Sequence, residues 1–256
     1  MIVRRIREHL VAHSWFAVAV DFLIVVVGVL IGMQASNWNN RRIEHHQSLS
    51  YRSRLIDELD FNARQFAQQI AYYEQVRGHA LATMRALESR SSESSDFFVH
   101  AYQSTQIDIT PPKRFIYDEM VSSGLVERLG SEKLQAQASD YYLNNKAVEE
   151  TYGVVPPYRA LMRTLIPHVA QAQIRGWCGD ISVTHEGRII ASRLPERCDV
   201  SIDAAAIATG VASIRREPRL HDELNRYLSW INEKVGSLKD SVARTNSLRQ
   251  ALIEQS

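Results

Sequence analysis

Between positions 16 and 33 the chain is apolar or glycine at every residue except Asp21. Eighteen residues of helix rise about 27 Å, close to the ~30 Å thickness of a bilayer's hydrocarbon core. Trp15 and Trp38 bracket the run, as amphipathic rings do at headgroup level. The pattern predicts a transmembrane helix over 15–38. The alternative is a cleaved signal peptide, since 22–33 has the length of an h-region and Ala35 could mark a cleavage site. Met33, however, is a poor fit to the small residue expected two positions before Ala35, and the lead-in is long for an n-region. An uncleaved signal anchor is the expectation.

After the polar exit the period changes. Leu49, Arg52, Ile56, Leu59, Ala63, Phe66, Ile70, Tyr73, Arg77, Ala80, Met84 and Leu87 recur in steps of three and four. That is a coiled-coil-like seam, with Arg52 and Arg77 as the exceptions. It predicts a long stem helix over 39–90, closed by the polar stretch "ESRSSESSD". Near the other end Leu224, Leu228, Ile231, Val235, Leu238, Val242, Thr245, Leu248 and Leu252 repeat in the same way, predicting a second long helix within 217–256. Pro218 sits near its start, where a missing N–H is tolerated. Helices this long need a partner along the seam. Antiparallel pairing of the two is expected, returning the C-terminal helix toward the membrane.

The segment 91–216 reads as a distal head of shorter elements. Ser95 can cap a helix over 96–104. Pro111 and Pro112 open one that Gly124 stops, and Ser131 caps one running to Tyr152. Pro156 and Pro157 open another, ended by Gly176 and kinked at Pro167. The texture then turns β-branched on either side of Glu186-Gly187, predicting a hairpin over 180–194. Cys178 and Cys198 flank it. Folding at the turn brings them near register, so a disulfide across the hairpin base is geometrically reasonable. Closing a loop of about 20 residues is worth roughly 3 kcal/mol in the chain-entropy model. The fold class expected is mainly α: one N-terminal transmembrane helix plus an elongated antiparallel helical bundle with a small β-hairpin in its head.

Composition narrows the function. Thirty basic and 29 acidic residues leave a formal charge of +1, without the basic excess of a nucleic-acid binder. Arginines flank the apolar run on both sides: Arg4, Arg5 and Arg7 before it, Arg41 and Arg42 after it, with Arg52 and Arg54 further on. The positive-inside count is nearly tied. The leading arginine cluster, and cysteines suited to an oxidising compartment, favour 1–14 as a cytoplasmic tail and the bulk of the chain in the periplasm. A tail that short has no room for an output domain, so signalling would need a partner.

Asp21, Gly28, Gly32 and Ser36 fall on one face of the transmembrane helix. The GxxxG spacing permits close backbone approach, and a carboxyl on that face could bond across the contact. An unpartnered charge in lipid is costly. Three roles stay open for Asp21: part of a self-association or partner face, a tolerated residue reaching the interface, or a proton-handling group.

Motif chemistry is thin. His9 and His13 are four apart and His45 and His46 adjacent, but none sits in HExxH and no cysteine spacing suits zinc. The chain contains no GxSxG, Walker A or GxGxxG. No catalytic residue, cofactor or metal site is assigned, and an enzyme is not expected. Asp118 and Glu119 diverge by about 100° on a helix and do not form an acid–base pair unaided. Ser122-Ser123-Gly124 reads as a helix end that could shape a concave surface.

Two stretches, "DFLIVVVGVLIGMQASNWNN" and "YDEMVSSGLVERLGSEKLQAQASDYY", resemble the motifs of an uncharacterised family of bacterial single-pass membrane proteins. The first has that family's acidic residue, apolar run and Asn-x-Trp-Asn-like exit. The second has its aromatic–acidic helix ending in Ser-Ser-Gly and a following helix ending in paired aromatics. The matching positions are Tyr117, Asp118, Glu119, Ser122, Ser123, Gly124, Leu134, Tyr141 and Tyr142. The hairpin and its cysteines lie outside the resemblance. It implies the anchored architecture and no activity. With it, Tyr117, Asp118, Ser122, Ser123, Gly124, Tyr141 and Tyr142 form a candidate binding surface. The function expected is a membrane-anchored extracytoplasmic module for binding, sensing or scaffolding. Its partners would be lipid and either a second copy or another membrane protein. The alternative is an accessory subunit of a proton-coupled complex that uses Asp21.

Overall fold

The computed structural model describes residues 2–89, 93–185 and 187–254. The side chains of 2–14 and 16–18 lie outside that description, and with them the arginine cluster and His9 and His13, as does Glu186 at the expected hairpin turn. Two compact units divide the chain, Met1–Tyr51 and Arg52–Ser256.

From Ile2 onward the first unit is helical, part of α1 (Ile2–Glu88). No backbone break separates the expected transmembrane helix from the expected stem. "NWNNRRIEHHQS" changes the polarity without a proline or glycine to change the dihedrals, so a boundary in composition is not a boundary in backbone. Phe22, Leu23, Ile24, Val25, Val29, Leu30, Ile31 and Met33 are each more than half exposed. This helix is long and apolar enough to cross a membrane.

The second unit is built on the rest of α1 and on α8 (Leu220–Glu254). These run antiparallel. Arg249 pairs with Asp60 at 2.5 Å, Arg77 donates to Asn232 at 3.3 Å, and His221 lies 3.8 Å from Glu88. Numbers rise on one helix as they fall on the other. The buried stripe of α1 is wider than the expected seam. Leu55, Tyr72 and Val76 join Leu59, Phe66, Tyr73, Ala80 and Met84, while Leu49 is exposed. The stripe also holds Glu58, Asn62, Gln65 and Gln69, all buried. A two-helix seam would not tolerate these. A loop answers three of them: Asn62 and Gln65 donate to the carbonyls of Lys113 and Thr110, and Gln69 also reaches Thr110, while Glu58 accepts from Tyr142 and from the Ile116 N–H.

Shorter elements fill the unit. α2 (Ser95–Gln103) is capped by Ser94, one residue before the expected cap, whose hydroxyl accepts from the Phe97 N–H. α3 (Phe115–Ser122) and a 3₁₀ turn (Val126–Leu129) lead to α4 (Glu132–Tyr152), capped by Ser131. Pro167 separates α5 (Pro157–Leu165) from α6 (His168–Cys178) rather than kinking one helix. Ile166 before it is extended, as a pre-proline residue prefers. β1 (Ile181–His185) and β2 (Arg188–Arg193) pair antiparallel with an irregularity at Val183/Thr184, and Gly187 takes φ 74° at the turn. α7 (Ala204–Arg215) was not anticipated. Asp203 caps it, and a Cβ on its Gly210 would meet the Phe98 ring at 2.5 Å, so α7 seats directly on α2. The core joins Tyr72, Tyr73, Phe98, Tyr158, Met162 and Tyr227. Tyr158 and Trp230 both stack on Tyr227, at 4.9 and 5.6 Å.

Candidate functional site

The expected binding surface divides into an inside and an outside. Tyr117, Tyr141 and Tyr142 are buried. Tyr117 stacks on Tyr142 at 4.1 Å and 9°. The Tyr142 hydroxyl donates to Glu58 Oε1 at 2.6 Å, and the Ile116 N–H donates to the other carboxylate oxygen at 2.8 Å. Burial, then the Glu58 charge, hold the Tyr142 hydroxyl far above the usual phenol range. The Tyr141 hydroxyl accepts from Asn62 and Thr245. These rings therefore staple α3 and α4 to α1 and α8, and Tyr141 also borders an open groove between α4 and α8. The physical reason is that a phenol packs its ring in a core whenever its hydroxyl finds a partner there, and Glu58, Asn62 and Thr245 provide one.

The rest of that motif is a helix end. Gly124 takes φ 68°. Its N–H bonds the Val121 carbonyl, and the Leu125 N–H bonds that of Met120 at 2.8 Å, the Schellman arrangement. Ser122 and Ser123 both donate to the Glu119 carbonyl. Asp118 is exposed and accepts from Arg114 at 2.7 Å. Asp118, Ser122, Ser123 and Gly124 together close α3.

Asp21, Gly28, Gly32 and Ser36 are all exposed, share a face of α1, and leave open space beside both glycines. Cys178 and Cys198 stand at disulfide distance, with Cα atoms 5.5 Å apart. The pair ties the end of α6 to the segment after β2. Gln103 on α2 donates to the Cys178 carbonyl at 2.6 Å. Asp180, just beyond, accepts from Tyr72, and burial raises its carboxyl above the usual range.

Two polar features escaped the sequence. His79 on α1 and His100 on α2 place their Nδ1 atoms 2.7 Å apart. Burial, then the partner ring, push His79 down to about 4, and burial lowers His100 as well. Among the described residues no three His, Cys, Asp or Glu side chains gather to hold a metal.

The second feature is a small chamber of about 40 Å³ among α1, the 108–112 loop, α4 and α8. Lys234, Asn145 and Ser241 line it, each at least 94% buried. Neither atom of the Asn145 amide, nor the Ser241 hydroxyl, has a hydrogen-bond partner. Asn145 lies near enough to Tyr141 to favour that phenol's charged form, but without bonding geometry. Burial pushes the Lys234 amine down to about 8, although Asp108 and Glu149 pull it up. The sequence did hold a signal. Lys234 and Ser241 are seven apart and in register with the apolar stripe of α8, at positions that face inward.

The class defined is a mainly α protein: a helical bundle with a small antiparallel hairpin, a cysteine pair at disulfide distance, and one N-terminal helix of membrane-spanning length and apolarity. No family model, no curated protein and no solved structure matches the chain.

Proposed function

We propose that this protein is a membrane-anchored helical module, without catalytic activity of its own, that binds, senses or scaffolds outside the cytoplasm. The single observation that carries the proposal is the apolar stretch of α1. Its large side chains are exposed around the whole helix, and only lipid or a partner chain removes that much apolar surface from water. The span lies in a bacterial inner membrane as a signal anchor, with residues 1–14 in the cytoplasm and the bundle in the periplasm. The cysteine pair supports this orientation, because disulfides persist in oxidising compartments. The partners are lipid and a second copy or another membrane protein meeting the Asp21, Gly28, Gly32 and Ser36 face. Nucleic acid is not among them. The motif resemblance supports membership of the uncharacterised single-pass family.

Protease protection in spheroplasts, joined to cross-linking and mass spectrometry in native membranes, tests the proposal. The bundle is expected to be digested from outside, and cross-links to cluster on the glycine face of α1. A bundle protected until the membrane is broken overturns the topology. A second function is favoured by the exposed carboxyl of Asp21 within the apolar run: an accessory role in a proton-coupled complex. It requires Asp21→Asn to abolish function while leaving assembly intact.

A further inference from the structure

Where α1 leaves its apolar run, the cationic and aromatic side chains gather on one side. Trp38, Arg41, Arg42, His45 and His46 recur in steps of three and one. At 3.6 residues per turn they fall within about 140° of the helix surface. Trp38 sits a turn before the two arginines and His45 a turn after them, and in rotation both lie between Arg41 and Arg42. All five are exposed, and the whole group belongs to the first unit. Among the described residues neither arginine is bonded to a carboxylate. From Gln34 to Leu49 the chain carries one acidic residue, Glu44. It stands about 60° further round from Arg41, on the side away from Arg42, so it does not answer both cations. The face keeps a net positive charge and a surplus of hydrogen-bond donors.

Depth decides what meets this face. The apolar run ends at Met33. Trp38 stands about 7 Å beyond it along the axis, and the arginines about 12–13 Å. The headgroup layer of one leaflet is about 5–7 Å deep, so Trp38 lies at its outer edge. Helical side chains lean toward the helix N-terminus, which here is back toward the run. An arginine stem laid that way carries its guanidinium down to the level of the lipid phosphates. Each guanidinium is a planar fork of N–H donors that matches a phosphate. A zwitterionic headgroup would set its own ammonium against these cations, whereas an anionic one brings the phosphate without it.

We infer that Trp38, Arg41, Arg42 and His45 form a binding site for the headgroup of an anionic phospholipid. The two arginines hold its phosphate, the His45 imidazole donates from the water side, and Trp38 packs against the glycerol and upper acyl chain. The site rests on the membrane anchor proposed above and deepens it by naming the lipid class, and it holds whichever side of the membrane the bundle occupies.

The test is native mass spectrometry of the full chain, released from detergent micelles that hold equal amounts of phosphatidylglycerol and phosphatidylcholine with identical acyl chains. Phosphatidylglycerol is expected to stay on the chain in preference to phosphatidylcholine. A cation beside the headgroups strengthens such binding roughly fivefold, so Arg41→Gln with Arg42→Gln should weaken phosphatidylglycerol binding about thirtyfold. Phosphatidylcholine binding should not change. Both arginines are exposed, so the variant folds, and an unmoved melting temperature of the bundle checks this. Arg4, Arg5 and Arg7 are intact in it, so the loss reports this end of the span alone. Inorganic phosphate at about 10 mM should not displace the lipid, because a free anion gains nothing from Trp38 or the apolar run. Equal retention of the two lipids overturns the inference and leaves the face to a protein partner. Undiminished phosphatidylglycerol binding in the double variant, or displacement by phosphate, overturns it as well. Flotation of the unmutated chain with lipid vesicles separates the two proposals: a chain that floats keeps its anchor in each of those cases, and one that does not float overturns anchor and site together.

Discussion

α1 carries two kinds of side-chain pattern. Over residues 22–33 apolar groups point in every direction and stay exposed. From Leu55 to Met84 buried positions form a stripe, and the opposite face stays exposed or half-buried. The backbone is the same in both. What differs is the number of sides that must leave water. A helix that is apolar all round requires a medium, whereas a striped helix requires neighbours with matching shape and hydrogen-bonding groups. The second kind is specified residue by residue and the first only in aggregate, so substitutions in the two stretches should fail differently.

The largest effect belongs to the striped part. Leu59 is fully buried, and Leu59→Ala should lower bundle stability by about 2–5 kcal/mol in a denaturant titration, while leaving membrane retention unchanged. Val27→Arg should do the reverse. At the centre of a span it costs insertion about 2.5–3.5 kcal/mol, so membrane fractionation should show loss to the soluble pool with the bundle's melting temperature unmoved. If either substitution damaged both properties, the contrast between the stretches would dissolve.

That contrast explains what could be read before the structure. The apolar run, the α8 stripe, the hairpin, the cysteine pair and the Ser131 and Gly124 boundaries depend on short-range patterns, and those patterns are in the sequence. The exact stripe of α1 is not. Counting apolar residues favoured Ile56 and Ile70 over Leu55, Tyr72 and Val76, because Glu58, Asn62, Gln65 and Gln69 count as polar until the 110–113 loop arrives to bond three of them. The candidate surface keeps Asp118, Ser122, Ser123 and Gly124 exposed but loses its tyrosines to the interior for the same reason. Tyr141 and Tyr142 look like adhesive aromatics until Asn62, Thr245 and Glu58, far away in sequence, satisfy their hydroxyls. α7 was missed because an alanine-rich segment has weak periodicity, and Gly210 takes on meaning only beside Phe98.

Smaller effects sharpen the comparison inside the bundle. Cys178→Ser with Cys198→Ser should cost about 3 kcal/mol of bundle stability in the chain-entropy model, measured by thermal unfolding, again without changing retention. The mildest is a pH effect. Free imidazole in the unfolded chain takes up a proton near pH 6.5, whereas His79 resists protonation until about 4 and His100 is lowered too. The unfolded state therefore binds more protons in between, and stability present above about pH 6.5 should fall as the pH drops toward 4. His79→Gln should flatten that stretch of the curve.

The central claim is that residues 22–33 sit in hydrocarbon. Nitroxide labels placed singly along this stretch, in the full chain reconstituted in lipid vesicles, test it directly through collision with oxygen and with a water-soluble nickel chelate. High oxygen accessibility and low nickel accessibility all round the helix, greatest near Val25, are the expected result. Strong nickel accessibility on any face near Val25 would contradict it.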